Sequence, residues 1–398
     1  MTKRTRAIRF PRVYLAIDNC FASKRWTLPR EWMSAVRDLG VACVEASADT
    51  EADPLYAGSA YLGRWRREVT ACQASTGVRV VNLYSGHGTY TTLGLTHTDA
   101  SVRKRMLERW LRPMILTAGR IGAGIGFYCH AFPHSALQDP AVYTELEDHL
   151  YDALAGVARF ASSKGVPSIG IEQMYTPHQI PWTLEGSRRL LKEVFRRGGA
   201  PFYVTIDTGH QTGQRRFQRP DRRRLEQQLR RKTPAHPGLW LGSDRAYDIF
   251  ERIKAGRFQT PDRGLDLLIA EMDRVPHMFA SPADSDTYEW LRELGCFSPI
   301  IHLQQVAGAV SAHQPFTEEL NRAGSIHAGR VLRALKTSYL QDADETLPPR
   351  CDVLYLTLEI FAPAAVIPHE LLRQIRESVQ YWRRFVPDDG RPLDELVE

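Results

Sequence analysis

The chain has 398 residues, 43% of them hydrophobic and 25% charged, with a formal net charge of +6. That is enough to bury a full core, as one large α/β barrel with an insertion or as two domains. The basic opening MTKRTRAIRFPR is not followed by an apolar signal-peptide core, and no run approaches the roughly 18 apolar residues of a membrane span. Cys20, Cys43, Cys72, Cys129, Cys296 and Cys351 include no C-x-x-C pair. Reduced core thiols in a cytoplasmic, membrane-free protein are therefore expected.

In chain order, RVYLAID (12–18) reads as a strand and LPREWMSAVRDLG (28–40) as a helix stopped by glycine. VACVEAS (41–47) is the second strand, followed by a helix over 61–76. RVVNLYS (79–85) leads to a long helix from Ser101 to about Arg120, and GIGFYCH (124–130) to a helix over 144–165. PSIGIE (167–172) and PFYVTID (201–207) flank a helix over 184–199. SPIIH (298–302) precedes a helix from Phe316 to Leu335, DVLYLTLE (352–359) is the eighth strand, and a helix over 368–386 closes the chain. Eight apolar runs, nearly all followed by helical periodicity, predict parallel strands buried inside a ring of helices, a (β/α)8 TIM barrel. A doubly wound open sheet would carry a Gly-rich turn after its first strand, and LAIDNCFASK is not one.

Residues 211–295 break the alternation, so the prediction is a single barrel domain over 1–398 with a long arginine-rich insertion after strand six. Its QTGQRRFQRPDRRRLEQQLRRK stretch has no evident apolar face. It reads as a solvated or subunit-contact surface in preference to a phosphate or nucleic-acid site.

Glu172, Asp207, His302 and Glu359 close the last four strand-like runs. One strand-end polar group is ordinarily half of a salt bridge or hydrogen bond. Four on consecutive strands of a barrel converge on its mouth. Three carboxylates and an imidazole suit one divalent metal ion, Mn²⁺, Mg²⁺, Co²⁺ or Zn²⁺, and lack the two histidines of an iron facial triad.

The runs I-E-Q-M-Y, I-D-T-G-H, I-I-H-L-Q-Q and L-T-L-E resemble the xylose-isomerase-like TIM-barrel superfamily, above all its sugar and sugar-phosphate isomerases and 3-epimerases. The resemblance spans about Val13 to Pro363, leaving the insertion largely outside. It implies that the four residues hold one divalent cation and that His210 contacts substrate. Where ketose 3-epimerases carry a second glutamate six residues after the first metal ligand, this chain has His178; where they carry an arginine six residues after the metal histidine, it has Gly308.

The expected chemistry is proton transfer beside a ketone through an enediolate, with Glu172 and Glu359 as base and acid on opposite faces. Further mouth-facing candidates are Asn19 for a hydroxyl, Lys24 and Arg25 for a phosphate or carboxylate, Gln304 and His313 for sugar hydroxyls, and His130, which ends strand four and reads equally as a pocket or a core residue. Glu45 reads equally as a pocket or core residue. The substrate expected is a small sugar or ketose phosphate, a tetrulose phosphate among them, on a homo-oligomeric enzyme. Two alternatives stand beside it: an abasic-site phosphodiesterase of the endonuclease IV type, and a non-catalytic binding barrel.

Overall fold

The computed structural model describes residues 9–86, 91–129, 131–231 and 238–397. Eight short strands build the centre: β1 Arg12–Asp18, β2 Cys43–Ser47, β3 Arg79–Ser85, β4 Gly124–Phe127, β5 Ile169–Glu172, β6 Tyr203–Asp207, β7 Ile300–Leu303 and β8 Val353–Leu358. Each pairs in parallel with its neighbours in sequence, and β8 pairs with β1 to close the (β/α)8 barrel. The strands are apolar because the outer face packs under helices and the inner face fills the barrel, so neither meets water.

The helices bury aromatic and aliphatic stripes against the strands, with Trp32, Trp110, Trp290 and Trp382 fully enclosed. The long third helical stretch is interrupted by a π-turn over Leu107–Leu111 just before Pro113. Proline cannot donate to the preceding turn, and the wider turn absorbs that defect. It also turns the Trp110 indole inward, where Nε1 donates to Ser85 Oγ at 3.1 Å at the exit of β3. Among the described residues no helix is long and apolar enough to cross a membrane.

The structure departs from sequence expectation in four places. The expected helix from Phe316 to Leu335 is two, Glu318–Ala323 and Ala328–Leu340. Between them Gln305 replaces the helical partners: its Oε1 accepts from Ile326 N and its Nε2 donates to Ile326 O, both at 3.0 Å. A Cβ on Gly324 would collide with that amide. The helix Pro368–Arg383 is not the last element, because β9, Arg391–Pro392, runs antiparallel to the start of β1 and leads into a 3-10 turn, Leu393–Leu396.

The connection from β6 to β7 ends in Thr287–Leu294, which packs on Ala328–Leu340 and Leu184–Gly198 and so serves as the barrel helix of that unit. The added elements thus precede it, including a helical pair of Asp244–Lys254 and Pro261–Arg274. Finally, the arginine-dense helix Arg222–Leu229 does have an apolar anchor, the fully buried Leu225. Its Arg222 pairs with Asp266 at 2.7 Å and Asp262 at 3.3 Å, while Arg223, Arg224 and Arg230 face solvent.

Candidate metal centre

Side chains alternate along a strand, so one inward residue predicts the next two positions on. Ala16, Cys43 and Val81 form a small inner cluster, apart from the main core, with Tyr14 and Tyr355 against it. Continuing by twos brings Asp18, Glu45 and, past Thr357, Glu359 to the same interior at the C-terminal ends. Pairing keeps them level: Asp18 lies opposite Glu45, Glu45 opposite Asn82, and Asp207 opposite His302. A register step between Val44 and Glu45 is what sets Asn82 beside Glu45.

The four expected residues do come together. One ligand atom from each of Glu172, Asp207, His302 and Glu359 lies within 4.8 Å of the others. Atoms around a single ion at about 2.1 Å stand at most roughly 4.2 Å apart, so small side-chain adjustments complete such a set. His302 Nδ1 lies 3.0 Å from Glu172 Oε1 and 3.2 Å from Glu359 Oε2. Its other nitrogen, Nε2, is 2.6 Å from Glu45 Oε1.

Counting Asp18 and Glu45, five carboxylates surround this one imidazole, and all six side chains are at most 4% exposed. Buried charge on that scale demands compensation. Burial works against a charged His302, yet the Glu359 and Glu45 charges win and hold its pKa well above the usual histidine value. Glu359 is pushed well above the carboxylate range by burial, with His302 opposing and Glu172 and Asp207 adding. Its Oε2, although 3.2 Å from His302 Nδ1, is buried and receives no well-directed hydrogen bond. That orphaned oxygen, aimed at the convergence point, fits a cation.

Asp207 differs. Burial raises its pKa, but the neighbouring His210, His313 and His302, with the Gln304 amide, bring it below the carboxylate range. Its Oδ1 also accepts from Gly209 N at 2.6 Å and His210 N at 3.0 Å, so it is rigidly held.

The remaining expected contacts divide. His210 is buried, with Nδ1 on Gln173 O at 2.7 Å and 3.9 Å from Glu172 Oε1. His313 reaches within 3.5 Å of Glu359 Oε2 and lies 4.2 Å, ring to ring, from the half-exposed Phe361. Its backbone is left-handed, φ 47°, an unusual state for a non-glycine residue. Burial lowers its pKa to about 4, so it is neutral at pH 7. Asp207, His210 and His313 form a second group of close ligand atoms that shares Asp207.

Gln304 is engaged at both ends, Nε2 on Asp207 and Oε1 on Ser311 Oγ and His313 N. Asn19 Oδ1 accepts from Ser47 N at 2.6 Å, tying β1 to β2. Arg25 donates to the carbonyls of Pro363 at 2.8 Å and Val366 at 3.0 Å, clamping the loop after β8. Lys24 is exposed on a left-handed turn. His178 contacts Phe132 O and stacks near His134, beside the loop after β4. His130 lies outside the described residues.

Sequence reasoning passed over Asp18 and Tyr84. Asp18 closes RVYLAID just as Asp207 closes PFYVTID, so the same signal marked it. Tyr84 is buried, donates its hydroxyl to Glu172 Oε2, and sets its ring edge-on to His302 at 5.1 Å. Only register could reveal that.

A 335-residue stretch is 23% identical to D-erythrulose 1-phosphate 3-epimerase of Brucella abortus (strain 2308), covering 83% of each chain. A Rhodospirillum rubrum ATCC 11170 structure, provisionally assigned as a xylose isomerase, superposes with a TM-score of 0.67 at 16% identity over 94% of this chain and 99% of that one. D-allulose 3-epimerase from Methylomonas sp., in complex with D-allulose, gives a TM-score of 0.54 at 13% identity over 95% and 99% of the chains. At such identities the superpositions speak for the fold alone. The family model of the xylose isomerase-like TIM barrel matches residues 33–236, just over half of the sequence. With the closed parallel barrel, that match places the chain in the xylose isomerase-like TIM barrel family.

Proposed function

We propose that this chain is a divalent-metal-dependent epimerase or isomerase of a sugar or ketose phosphate, working through an enediolate. The observation that carries the reading is the convergence of Glu172, Asp207, His302 and Glu359, with Glu359 Oε2 left without a well-directed donor. These four residues would hold the cation. When bound, it supplies Lewis-acid stabilisation of negative charge on a substrate oxygen.

The protein's own groups supply the proton traffic. Glu172 and Glu359 rise from β5 and from the end of β8, on different sides of the mouth. One removes the proton beside the carbonyl and the other returns it to the opposite face, which inverts the carbon. Return to the neighbouring carbon would interconvert aldose and ketose. Tyr84 anchors one Glu172 oxygen and leaves the other facing His302. Asp207, clamped by two backbone amides and Gln304, stays ionised as a fixed ligand. His210 and the neutral His313 stand over the centre, placed to bind substrate hydroxyls.

A short ketose phosphate of the tetrulose type is the substrate class we favour, supported by the erythrulose-phosphate epimerase among the relatives. The test is a panel of ketoses and ketose phosphates followed by NMR in deuterated solvent, with bound metal measured by elemental analysis. Deuterium entering the carbon next to the carbonyl, with metal bound, supports the reading. The Asp207, His210 and His313 group favours one rival, a multi-metal phosphodiesterase. Several ions per chain and nicking of abasic DNA, without deuterium uptake, would decide for that rival.

A further inference from the structure

Behind the candidate centre, on the face of His302 turned away from Glu172 and Glu359, lies a polar layer that the proposed reaction does not use. Glu45 Oε1 is 2.6 Å from His302 Nε2, and Glu45 Oε2 accepts from Asn82 Nδ2, also at 2.6 Å. Glu45, Asn82 and His302 are all fully buried. The Asn82 amide is oriented by its hydrogen bond to Glu45. Cβ atoms built on Gly124 and Gly126 would approach it to 2.8 Å and 3.0 Å, so these two glycines of β4 make just the room it fills. Turning it would bring Oδ1 against a carboxylate.

An ionised carboxylate only accepts hydrogen bonds, so the imidazole nitrogen facing Glu45 must carry a proton. The other nitrogen, 3.0 Å from Glu172 Oε1, is the one that gives up its proton when a cation binds between Glu172 and Glu359, and its lone pair then faces that cation. We propose that Glu45, oriented by Asn82, is a positioning residue that fixes His302 in the Nε2–H tautomer and delivers the Nδ1 lone pair to the cation site. This rests on the metal-centre reading above. Asp18, whose carboxyl also hydrogen-bonds Glu45 and accepts from Cys20 N, backs the layer at the end of β1.

The test uses the full chain with Co²⁺ binding as one readout and the ¹⁵N shifts of His302, taken with Zn²⁺, as the other. Glu45→Gln offers one oxygen and one amino group to two donors, His302 Nε2–H and Asn82, and cannot accept from both. Its Co²⁺ affinity should fall about 10- to 100-fold, with Nδ1–H persisting in the spectrum taken with Zn²⁺. Adding Asn82→Leu removes the competing donor, lets the glutamine oxygen face His302, and should restore most of the affinity. A merely structural role for the pair predicts the reverse, a double variant worse than either single one. Glu45→Asp keeps an acceptor-only group, and should keep the Nε2–H tautomer even if Glu45→Gln fails to fold.

Equal Co²⁺ affinity in Glu45→Gln, or Nδ1–H in the Zn²⁺-loaded wild-type or Glu45→Asp spectrum, overturns the proposal. So does a second Co²⁺ that is lost with Glu45→Gln, which would put a cation where the hydrogen bond is drawn. If the folded wild type takes up no Co²⁺ that depends on Glu359, the metal-centre reading itself fails. Co²⁺ binding that needs Glu359 but ignores Glu45 sinks only the tautomer lock.

Discussion

Glu359→Gln separates the two demands on this residue. Glutamine mimics the protonated acid, the form that burial and the Glu172 and Asp207 charges favour in the metal-free protein. A carboxyl whose folded pKa lies above its ordinary 4.5 contributes stability below that value and loses it as pH rises through the folded one. Metal-free Glu359→Gln should therefore be at least as stable as wild type at neutral pH, and more so as pH rises.

With metal the order reverses. Wild type held at 100 times its dissociation constant gains about 2.7 kcal/mol. If losing this ligand weakens binding by the hundredfold that even outer-sphere changes reach, the same concentration stabilises the variant by only about 0.4 kcal/mol. Urea unfolding with Mn²⁺ or with a chelator measures both increments, and turnover should fall by about 10²- to 10⁴-fold. A variant that keeps the wild-type metal increment, or is markedly less stable without metal, refutes the assignment of Glu359 as an uncompensated ligand.

Three further outcomes follow from the same geometry. Glu51 is raised to about 7, chiefly by burial, with the Trp65 and Trp32 indoles opposing but too loosely aligned to satisfy its oxygens. Stability should thus fall as pH climbs from 4.5 toward 7, and Glu51→Gln should gain at most about 3 kcal/mol over wild type at pH 8. Urea unfolding at pH 5 and pH 8 checks this, and a gain independent of pH would contradict it. Tyr84→Phe removes the donor to Glu172, a charge-linked hydrogen bond of about 1.5–3 kcal/mol, so turnover should drop roughly 10- to 100-fold; unchanged rates would exclude the phenol from positioning Glu172. Arg25→Met should cost only about 0.5–1.5 kcal/mol, because the Pro363 and Val366 carbonyls it frees are exposed or partly so and regain water. It should change KM equally for phosphorylated and free ketoses; a selective loss on the phosphorylated one would make Arg25 a phosphate ligand instead of a loop clamp.

Much of this molecule is written in local pattern. Apolar runs of strand length, alternating with helices that stop at glycine, identify the barrel because buried parallel strands have no polar face to present. The convergence of the four strand-closing residues is legible for the same reason: in a barrel every strand C-terminus opens on one mouth. What stays hidden are relations between strands. Glu45 reads alone as an ambiguous buried acid, and becomes a partner of His302 only because closure of β1 on β2 and β8 brings the first strands round to the last. Asn82 and Tyr84 depend on the register step between β2 and β3, a shift that no periodicity records. Gln304 and Asn19, each with an amide suited to a sugar, are instead tied into Asp207 and Ser47. The sequence by itself determined the fold and the types of polar residue at the barrel mouth, since both follow from what each residue can bury. Tertiary structure alone decided which polar groups face one another, because hydrogen bonding depends on distances across the barrel between residues remote in the chain.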